Sequence, residues 1–285
     1  MYITPMLLQT SKHAFSDPEY IYEMKLDGFR GIYSQINGTP TLYTRHKNIV
    51  TDRFPELLNV PFKEDIILDG EVVCFNPLTK QVDFEAVMER FLTKNKQRIT
   101  QRAIAQPANF VAFDILFYKG EDLQKLPLME RKAILEEVIK DNQTFTKIRF
   151  IEGDGVSYFE AIKKANLEGM VAKFKNSVYQ PIRSNQWLKI INWQYTDVFI
   201  TGYKKDQTGW LASIEEDHRM KPVGVIEYGA SPDERKAFYQ VSKSLITHED
   251  HQRVYLDPAI RAKVKFRNWT KKGLLRTPVF EEFII

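Results

Sequence analysis

A lysine at position 25 stands in Glu23-Met24-Lys25-Leu26-Asp27-Gly28-Phe29-Arg30, at the end of a strand-like run and just before a glycine turn. There its amine projects beyond a sheet edge, with Asp27 and Arg30 placed to contact a polar ligand. An amine attacks only when deprotonated, so a reactive lysine needs nearby cations or a metal to lower its pKa. Taken alone, the segment reads more simply as a surface lysine beside a common Asp-Gly turn.

Later segments change the balance. Leu68-Asp69-Gly70-Glu71 ends a strand with a carboxylate suited to a ribose hydroxyl or a metal, and Phe110 to Asp114 sets an aromatic beside an acid. Glu168-Gly169-Met170-Val171-Ala172-Lys173 holds a carboxylate and a lysine at the two ends of a short strand, and Trp187-Leu188-Lys189 adds a lysine on an apolar strand. A lysine nucleophile, carboxylates for magnesium, lysines for phosphate and an aromatic platform for a base together make a nucleotidyl-transfer site. Each has a plain alternative: Phe113 as core, Lys173 and Lys189 as solvated strand-edge charges, Glu168-Gly169 as a turn, Arg183 as surface. His13, His46, His218, His248 and His251 show no metal-ligand spacing.

The elements that must position these residues are strands interrupted by helices. Tyr20 to Lys25 reads as a strand with Phe29 to Ile36 as its antiparallel return, and Asp65 to Phe75 and Phe110 to Tyr118 as further strands. Helical patterns cover Phe84 to Phe91, Leu128 to Ile139 and, more weakly, Val156 to Ala165. The mix predicts an α+β domain with antiparallel sheets. From about Trp193 the pattern shifts to short strands at Thr196 to Tyr203, Pro222 to Tyr228 and Ala259 to Trp269. One helix, opened by Ser231-Pro232-Asp233-Glu234, lies among them. That is the pattern of a small OB-type β-barrel, so the expected division is 1–192 and 193–285. Within the second part, Arg261, Lys263, Lys265 and Arg267 alternate with Ile260, Ala262, Val264 and Phe266, and Lys271 and Lys272 follow. A strand puts the four cations on one face, a ladder suited to a phosphate backbone.

Composition sets the outer bounds. With 41 basic and 37 acidic residues the net charge is +4, compatible with nucleic acid without requiring it. The single cysteine, Cys74, excludes an internal disulfide framework and a thiolate zinc cluster, and reads as an inert buried thiol. Without a signal-peptide pattern or a membrane-length apolar run, the expected address is cytoplasmic.

Taken in order, the chemical segments resemble the motifs of the covalent nucleotidyltransferases, and most closely the ATP-dependent DNA ligases of minimal bacterial and phage type. Lys25-Leu26-Asp27-Gly28-Phe29-Arg30 looks like the family's K-x-D-G-x-R. Thr44-Arg45 with Thr51-Asp52-Arg53-Phe54-Pro55-Glu56 is similar to its second motif; Asp69-Gly70-Glu71, Phe113-Asp114, Glu168 to Lys173 and Trp187-Leu188-Lys189 supply the rest. The tail from Trp269 to Phe280 resembles the end of the bacterial ligase OB domain. The resemblance implies an ATP-grasp-like nucleotidyltransferase domain followed by an OB domain, acting as a monomer on nicked duplex DNA with magnesium and ATP. It implies that Lys25 carries AMP, Glu23 reads the adenine edge, Phe113 stacks on the base, and Arg30 and Glu71 hold the ribose. Glu71 also comes near a metal that Glu168 coordinates. Arg45 would bind the phosphate activated at the nick, and Lys173, Lys189 and Arg183 the transferring phosphate.

Three departures stand out. Ile191 occupies the second position of the usual K-x-K, His46-Lys47-Asn48 follow Arg45 where the family has a glycine, and the chain ends at Phe283-Ile284-Ile285 without R-x-D-K. No N-terminal clasping domain is expected. An RNA ligase, an mRNA-capping guanylyltransferase and a non-catalytic nucleic-acid-binding module are the competing readings. Replication, repair, end joining and phage propagation are left open.

Overall fold

The computed structural model describes residues 1–58 and 62–284. They form two compact units, Met1–Ile191 and Asn192–Ile285, each with its own core; Ile285 itself lies outside the described residues. Among the described residues no helix is long and apolar enough to cross a membrane.

The first unit opens with strands β1 (Leu7–Thr10), β2 (Tyr20–Met24), β3 (Phe29–Ile36), β4 (Thr39–Thr44) and β5 (Ile66–Cys74). Helices α1 (Phe84–Leu92) and α2 (Lys96–Ala105) follow, then β6 (Ala108–Tyr118), β7 (Glu121–Asp122) and α3 (Leu128–Val138). It closes with β8 (Phe145–Lys147), β9 (Phe150–Glu152), α4 (Gly155–Lys164), β10 (Gly169–Phe174) and β11 (Arg183–Ile191). These strands make two sheets, β1-β11-β10-β2-β9 and β4-β3-β5-β6-β7 with β8 beside β6. Pairing is antiparallel except for β1 on β11 and β8 on β6.

Alternation sorts the side chains between layers. Tyr22, Met170, Ala172 and Ile190 face outward from the first sheet onto Phe159 and Ile162 of α4, while Ile21 and Trp187 face inward onto Ile32 and Ile67 of the second. The far face of the second sheet, with Tyr33, Leu68, Val72 and Phe110, is covered by Val87 of α1 and Leu135 of α3. Burial of each of the valine, leucine, isoleucine, methionine and phenylalanine side chains contributes about 1.5–3 kcal/mol. Side-chain caps start three helices: Asp83 accepts from the Ala86 N–H, Asn95 from that of Arg98, and Asp154 from that of Ser157.

One expectation is overturned here. Phe29–Ile36 is not the return partner of Tyr20–Met24: β2 pairs with β10 and β9, and β3 with β4 and β5. The Asp27-Gly28 segment therefore crosses from one sheet to the other instead of making a hairpin, which carries Lys25 to the gap between them. Helix α2 was also not foreseen, because Ile99 is its one buried residue and no apolar stripe marks it.

The second unit holds β12 (Gln194–Lys204), β13 (Trp210–Glu216), β14 (Arg219–Ile226), α5 (Pro232–Ser242), β15 (Ile246–Glu249), β16 (Arg253–Leu256), β17 (Arg261–Phe266) and β18 (Val279–Ile284). Strand β12 pairs with β13 along one edge and with β17 and β16 along the other. β13 continues to β14 and β17 to β18, and a parallel bridge between Tyr228 and Val279 joins the two ends into a ring. Ser231 and Glu234 form a capping box at the start of α5, which packs Phe238 on Trp210 at 4.5 Å between ring centroids.

Candidate active site

Where the inward faces of the two sheets part, they leave a pocket lined by Glu23, Lys25, Arg30, Glu71, Phe113 and Lys173, with Val171 and Trp187 beside them. Sheet register explains the convergence. Val171 lies opposite Glu23 and Lys189, and Lys173 opposite Trp187 and Ile21, so these residues share one face.

Lys25 follows the last residue of β2, and its backbone N–H donates to the Gly169 carbonyl at 2.9 Å. Its Nζ donates to Glu168 Oε2 at 2.8 Å. Glu168 is delivered by the end of α4. There Asn166 takes φ +52°, and the N–H groups of Asn166 and Leu167 return to the Lys163 and Ile162 carbonyls, closing the helix in a Schellman-type turn. Across the pocket, the Gly28 N–H donates to Glu71 Oε1 at 3.2 Å. A Cβ at Gly28 would lie 2.1 Å from the Val72 carbonyl oxygen, so only glycine lets this loop approach β5. Burial pushes the Glu71 carboxyl up to about 8, Lys25 opposes the rise, and Glu168 adds to it. The two carboxylates are thus close enough to influence each other, with Lys25 acting on the same group.

Phe113 reaches the pocket through an irregularity. Asp69 pairs with Asp114 and Gly70 with Ala112, so Phe113 is the unpaired residue of a β-bulge, which re-aims its ring. Two cations already lie on that ring, Lys173 Nζ at 4.4 Å from its centroid and the Arg30 guanidinium at 5.3 Å.

At the inner end Glu23 is held between two buried lysines, Lys173 on Oε2 at 2.7 Å and Lys132 on Oε1. Burial pulls the Lys173 amine down to about 8; Glu23 resists this and Lys132 reinforces it. Lys132 was missed from sequence, although a signal existed: Arg131 and Lys132 interrupt the stripe of α3 between the buried Leu128 and Leu135. Its neighbour Arg131 grips Asp114 through two 2.8 Å bonds, so Asp114 is a buried structural partner.

Arg30 lines the pocket, yet its guanidinium is turned to Asp69, with Nε on Oδ1 at 2.9 Å and Nη2 on Oδ2 at 2.5 Å. It also donates to the Met6 carbonyl at 2.6 Å, and Tyr179 donates to Asp69 at 2.6 Å. Burial opposes its charge, and Asp69 more than restores it, leaving the Arg30 pKa raised. Neither Asp69 nor Tyr179 stood out from the sequence in this role.

The remaining residues are less central. Lys189 stands on the pocket face directly opposite Val171, and Ile191 pairs with Gly169, so the missing second lysine would have faced the same side. Arg183 is exposed and donates to the Leu8 carbonyl at 2.6 Å, outside the lining. Arg45 is exposed in the turn after β4, where Tyr2 donates to its carbonyl at 2.8 Å. In that turn the left-handed conformation falls to Lys47, at φ +65°, which stands in for the absent glycine.

In the second unit β17 alternates as its sequence predicts, with Ala262, Val264 and Phe266 buried. The opposite face is not a bare ladder of positive charge, and this corrects the expectation. Arg261 pairs with Asp197 at 3.3 Å, Lys263 with Glu282 at 3.6 Å, and Lys265 with Glu281. The acids come from the flanking strands, which the run of Ile260 to Arg276 could not reveal. Aromatics lie there too: Lys265 and Arg267 sit over Trp193, and Lys263 over Tyr195. Lys271 and Lys272 are exposed in the segment before β18.

Known proteins carry the same arrangement of chain. A family described as "ATP dependent DNA ligase domain" matches residues 5–190. The SPbeta prophage-derived DNA ligase-like protein LigB of Bacillus subtilis (strain 168) is 38% identical over 284 residues, covering 99% of both chains. The bifunctional non-homologous end joining protein LigD of the same organism is 29% identical over 285 residues; the match covers 93% of this chain and 46% of that protein. Among solved structures, the ligase domain of M. tuberculosis LigD superposes with a TM-score of 0.60 at 23% identity, covering 99% of this chain and 94% of that one, a likeness of fold. The lysine, the carboxylates and the lysines around this pocket all fall inside the matched span, and on that match and the full-length relative the chain belongs to the ATP-dependent DNA ligases.

Proposed function

We propose that this enzyme seals nicks in duplex DNA by way of an AMP carried on Lys25. The observation that carries the reading is the meeting of Lys25 with Glu168 at 2.8 Å, at the mouth of a pocket whose inner end offers the Glu23 carboxylate and the Lys173 ammonium. Together these offer an acceptor and a donor. Adenine presents the matching amino donor and ring-nitrogen acceptor, whereas guanine presents them reversed.

In the first step the Lys25 Nζ lone pair forms a bond to the α-phosphorus of ATP. The phosphorus–oxygen bond to the β-phosphate breaks, and pyrophosphate leaves with that electron pair. The Lys25 ammonium first loses a proton, and the proton freed as the nitrogen–phosphorus bond forms also leaves to solvent, so Glu168, whose ion pair holds Nζ in place, stays a carboxylate. An oxygen of the DNA 5′-phosphate then bonds to the AMP phosphorus and displaces Lys25, whose nitrogen takes a proton from solvent; the 3′-hydroxyl finally bonds to the 5′-phosphorus, releasing AMP and its own proton. The protein's share is positioning and charge compensation. Lys189, on the pocket face, and Arg45 and Arg183, outside the lining, supply further charge to phosphates.

Glu168 and, once its proton has left, Glu71 would give the hard oxygen donors that magnesium takes, in the number it uses when substrate phosphates complete its shell. Among the described residues no group of three or more His, Cys, Asp or Glu stands ready to hold a metal, which suits an ion that arrives with the nucleotide. Bound magnesium would neutralise charge on the phosphates.

We assign residues 1–192 to the nucleotidyltransferase domain and 193–285 to an OB domain, a reading supported by the closed ring of strands around α5's Phe238. The chain acts as a monomer in the cytoplasm. The ladder of Arg261, Lys263, Lys265 and Arg267, with Lys271 and Lys272, contributes to DNA contact through cations stacked on Trp193 and Tyr195. The test is sealing of a 5′-phosphorylated nicked duplex with ATP and magnesium, beside the same nick in RNA. Sealing of DNA alone is expected; sealing of RNA alone, or of neither, would overturn the reading.

A further inference from the structure

From Phe91 to Phe113 the chain carries Lys94, Lys96, Arg98 and Arg102 and no acid, so this one segment holds a charge equal to the whole protein's net +4. Arg102 is spent on Glu89 of α1 and the Thr93 hydroxyl. Lys94, Lys96 and Arg98 are exposed, and among the described residues their side chains form no ion pair. Lys96 and Arg98 fall in the first turn of α2, where cations oppose the helix dipole, so helix stability does not ask for them.

Their position relates to the pocket. Phe91, in the last turn of α1, packs on Phe29 at 4.9 Å between centroids, on the face of the second sheet turned away from the pocket, and the residue after Phe29, Arg30, lines the pocket. The basic run begins three residues after Phe91. Arg53 lies on the same ring, at 5.2 Å, and donates to the Phe91 carbonyl. No aromatic residue occurs between Phe91 and Phe110, so the segment offers charge without a platform for unstacked bases. Charge alone suits the backbone of a duplex.

We propose that Lys94, Lys96 and Arg98 form a surface of the first unit that holds the phosphate backbone of duplex DNA behind the sheet that carries Arg30 and Glu71. This rests on the ligase reading, and the experiment separates the two. Full-length protein, the Lys94→Gln/Lys96→Gln/Arg98→Gln variant and a control of equal charge loss, Lys140→Gln/Lys163→Gln/Lys164→Gln, are compared. The probes are binding to a labelled nicked duplex across a KCl series and covalent labelling by ATP labelled in the α-phosphate. The first variant is expected to load AMP as the unaltered protein does and to bind the duplex at least about tenfold more weakly at 0.1 M salt. Its log–log salt slope should be smaller by about 2 to 3, since each phosphate contact contributes about 0.9. The control should bind within about twofold of the unaltered protein. Equal weakening in both variants, or unchanged affinity and slope in the first, would overturn the proposal. Failure of the unaltered protein to take label or bind the duplex would instead overturn the ligase reading beneath it.

Discussion

Lys132 touches no ligand-facing surface of the pocket, yet it holds one oxygen of the Glu23 carboxylate that does. Removing one cation from a buried ion cluster leaves charge uncompensated, which costs about 3–5 kcal/mol when a pair is broken outright and less where a second lysine remains. Lys132→Met should therefore lower stability by about 2–3 kcal/mol in chemical unfolding and raise the KM for ATP in AMP loading more than it lowers the rate. A loss below about 1 kcal/mol with KM unchanged would remove Lys132 from the account. Glu71 makes a pH-dependent prediction. Its carboxyl in the folded chain titrates near 8, raised from 4.5, so the folded state holds a proton that the unfolded chain releases. Its contribution is fully present below pH 4.5 and is lost as pH rises through about 8. Glu71→Gln keeps an acceptor for the Gly28 N–H and does not titrate. The melting temperature of Glu71→Gln relative to the unaltered protein should climb between about pH 4.5 and 8 and level off above, and a constant difference across that range would contradict the shifted titration.

At the scale of elements, the crossing between the sheets is the feature on which Lys25 depends. Gly28→Ala would bring a Cβ within 2.1 Å of the Val72 carbonyl oxygen, so the loop must retreat from β5. AMP loading should fall by about a hundredfold, since displacements near 1 Å have that effect on aligned reactants. Loading at the unaltered rate would show that the approach is unimportant. Much of this architecture was legible beforehand. Phe29–Ile36, the strand around Glu71 and the helices near Phe84 and Leu128 follow from alternation, helical periodicity and start signals. Sheet membership was not legible, because Asp27-Gly28 serves a hairpin or a crossing equally well. The bulge at Phe113 depends on how β6 meets β5, and the acids opposite Arg261, Lys263 and Lys265 on how β17 meets β12 and β18. Such pairings join residues far apart in sequence, so no local window contains them. The site's lysines and carboxylates were legible by type and order, but the second cation on Glu23 was hidden in a helix whose own stripe it interrupts.

At the scale of the molecule, the pocket lies wholly within Met1–Ile191, and the second unit has a separate core around Trp210 and Phe238. ATP at a hundredfold excess over its Kd stabilises the body that binds it by about 2.7 kcal/mol. Hydrogen exchange with ATP and magnesium, on a Lys25→Ala variant that cannot react, should slow chiefly in β2, β10 and α3. Slowing confined to β12–β18 would place the nucleotide elsewhere. The central claim is more direct: one lysine of this chain becomes covalently bound to AMP. Incubation with ATP, magnesium and no DNA, followed by peptide mass spectrometry, tests it. The account predicts an acid-labile AMP adduct on the peptide containing Lys25, absent with GTP and absent from Lys25→Ala. An adduct on another residue, or none on protein freed of prior AMP, would contradict it.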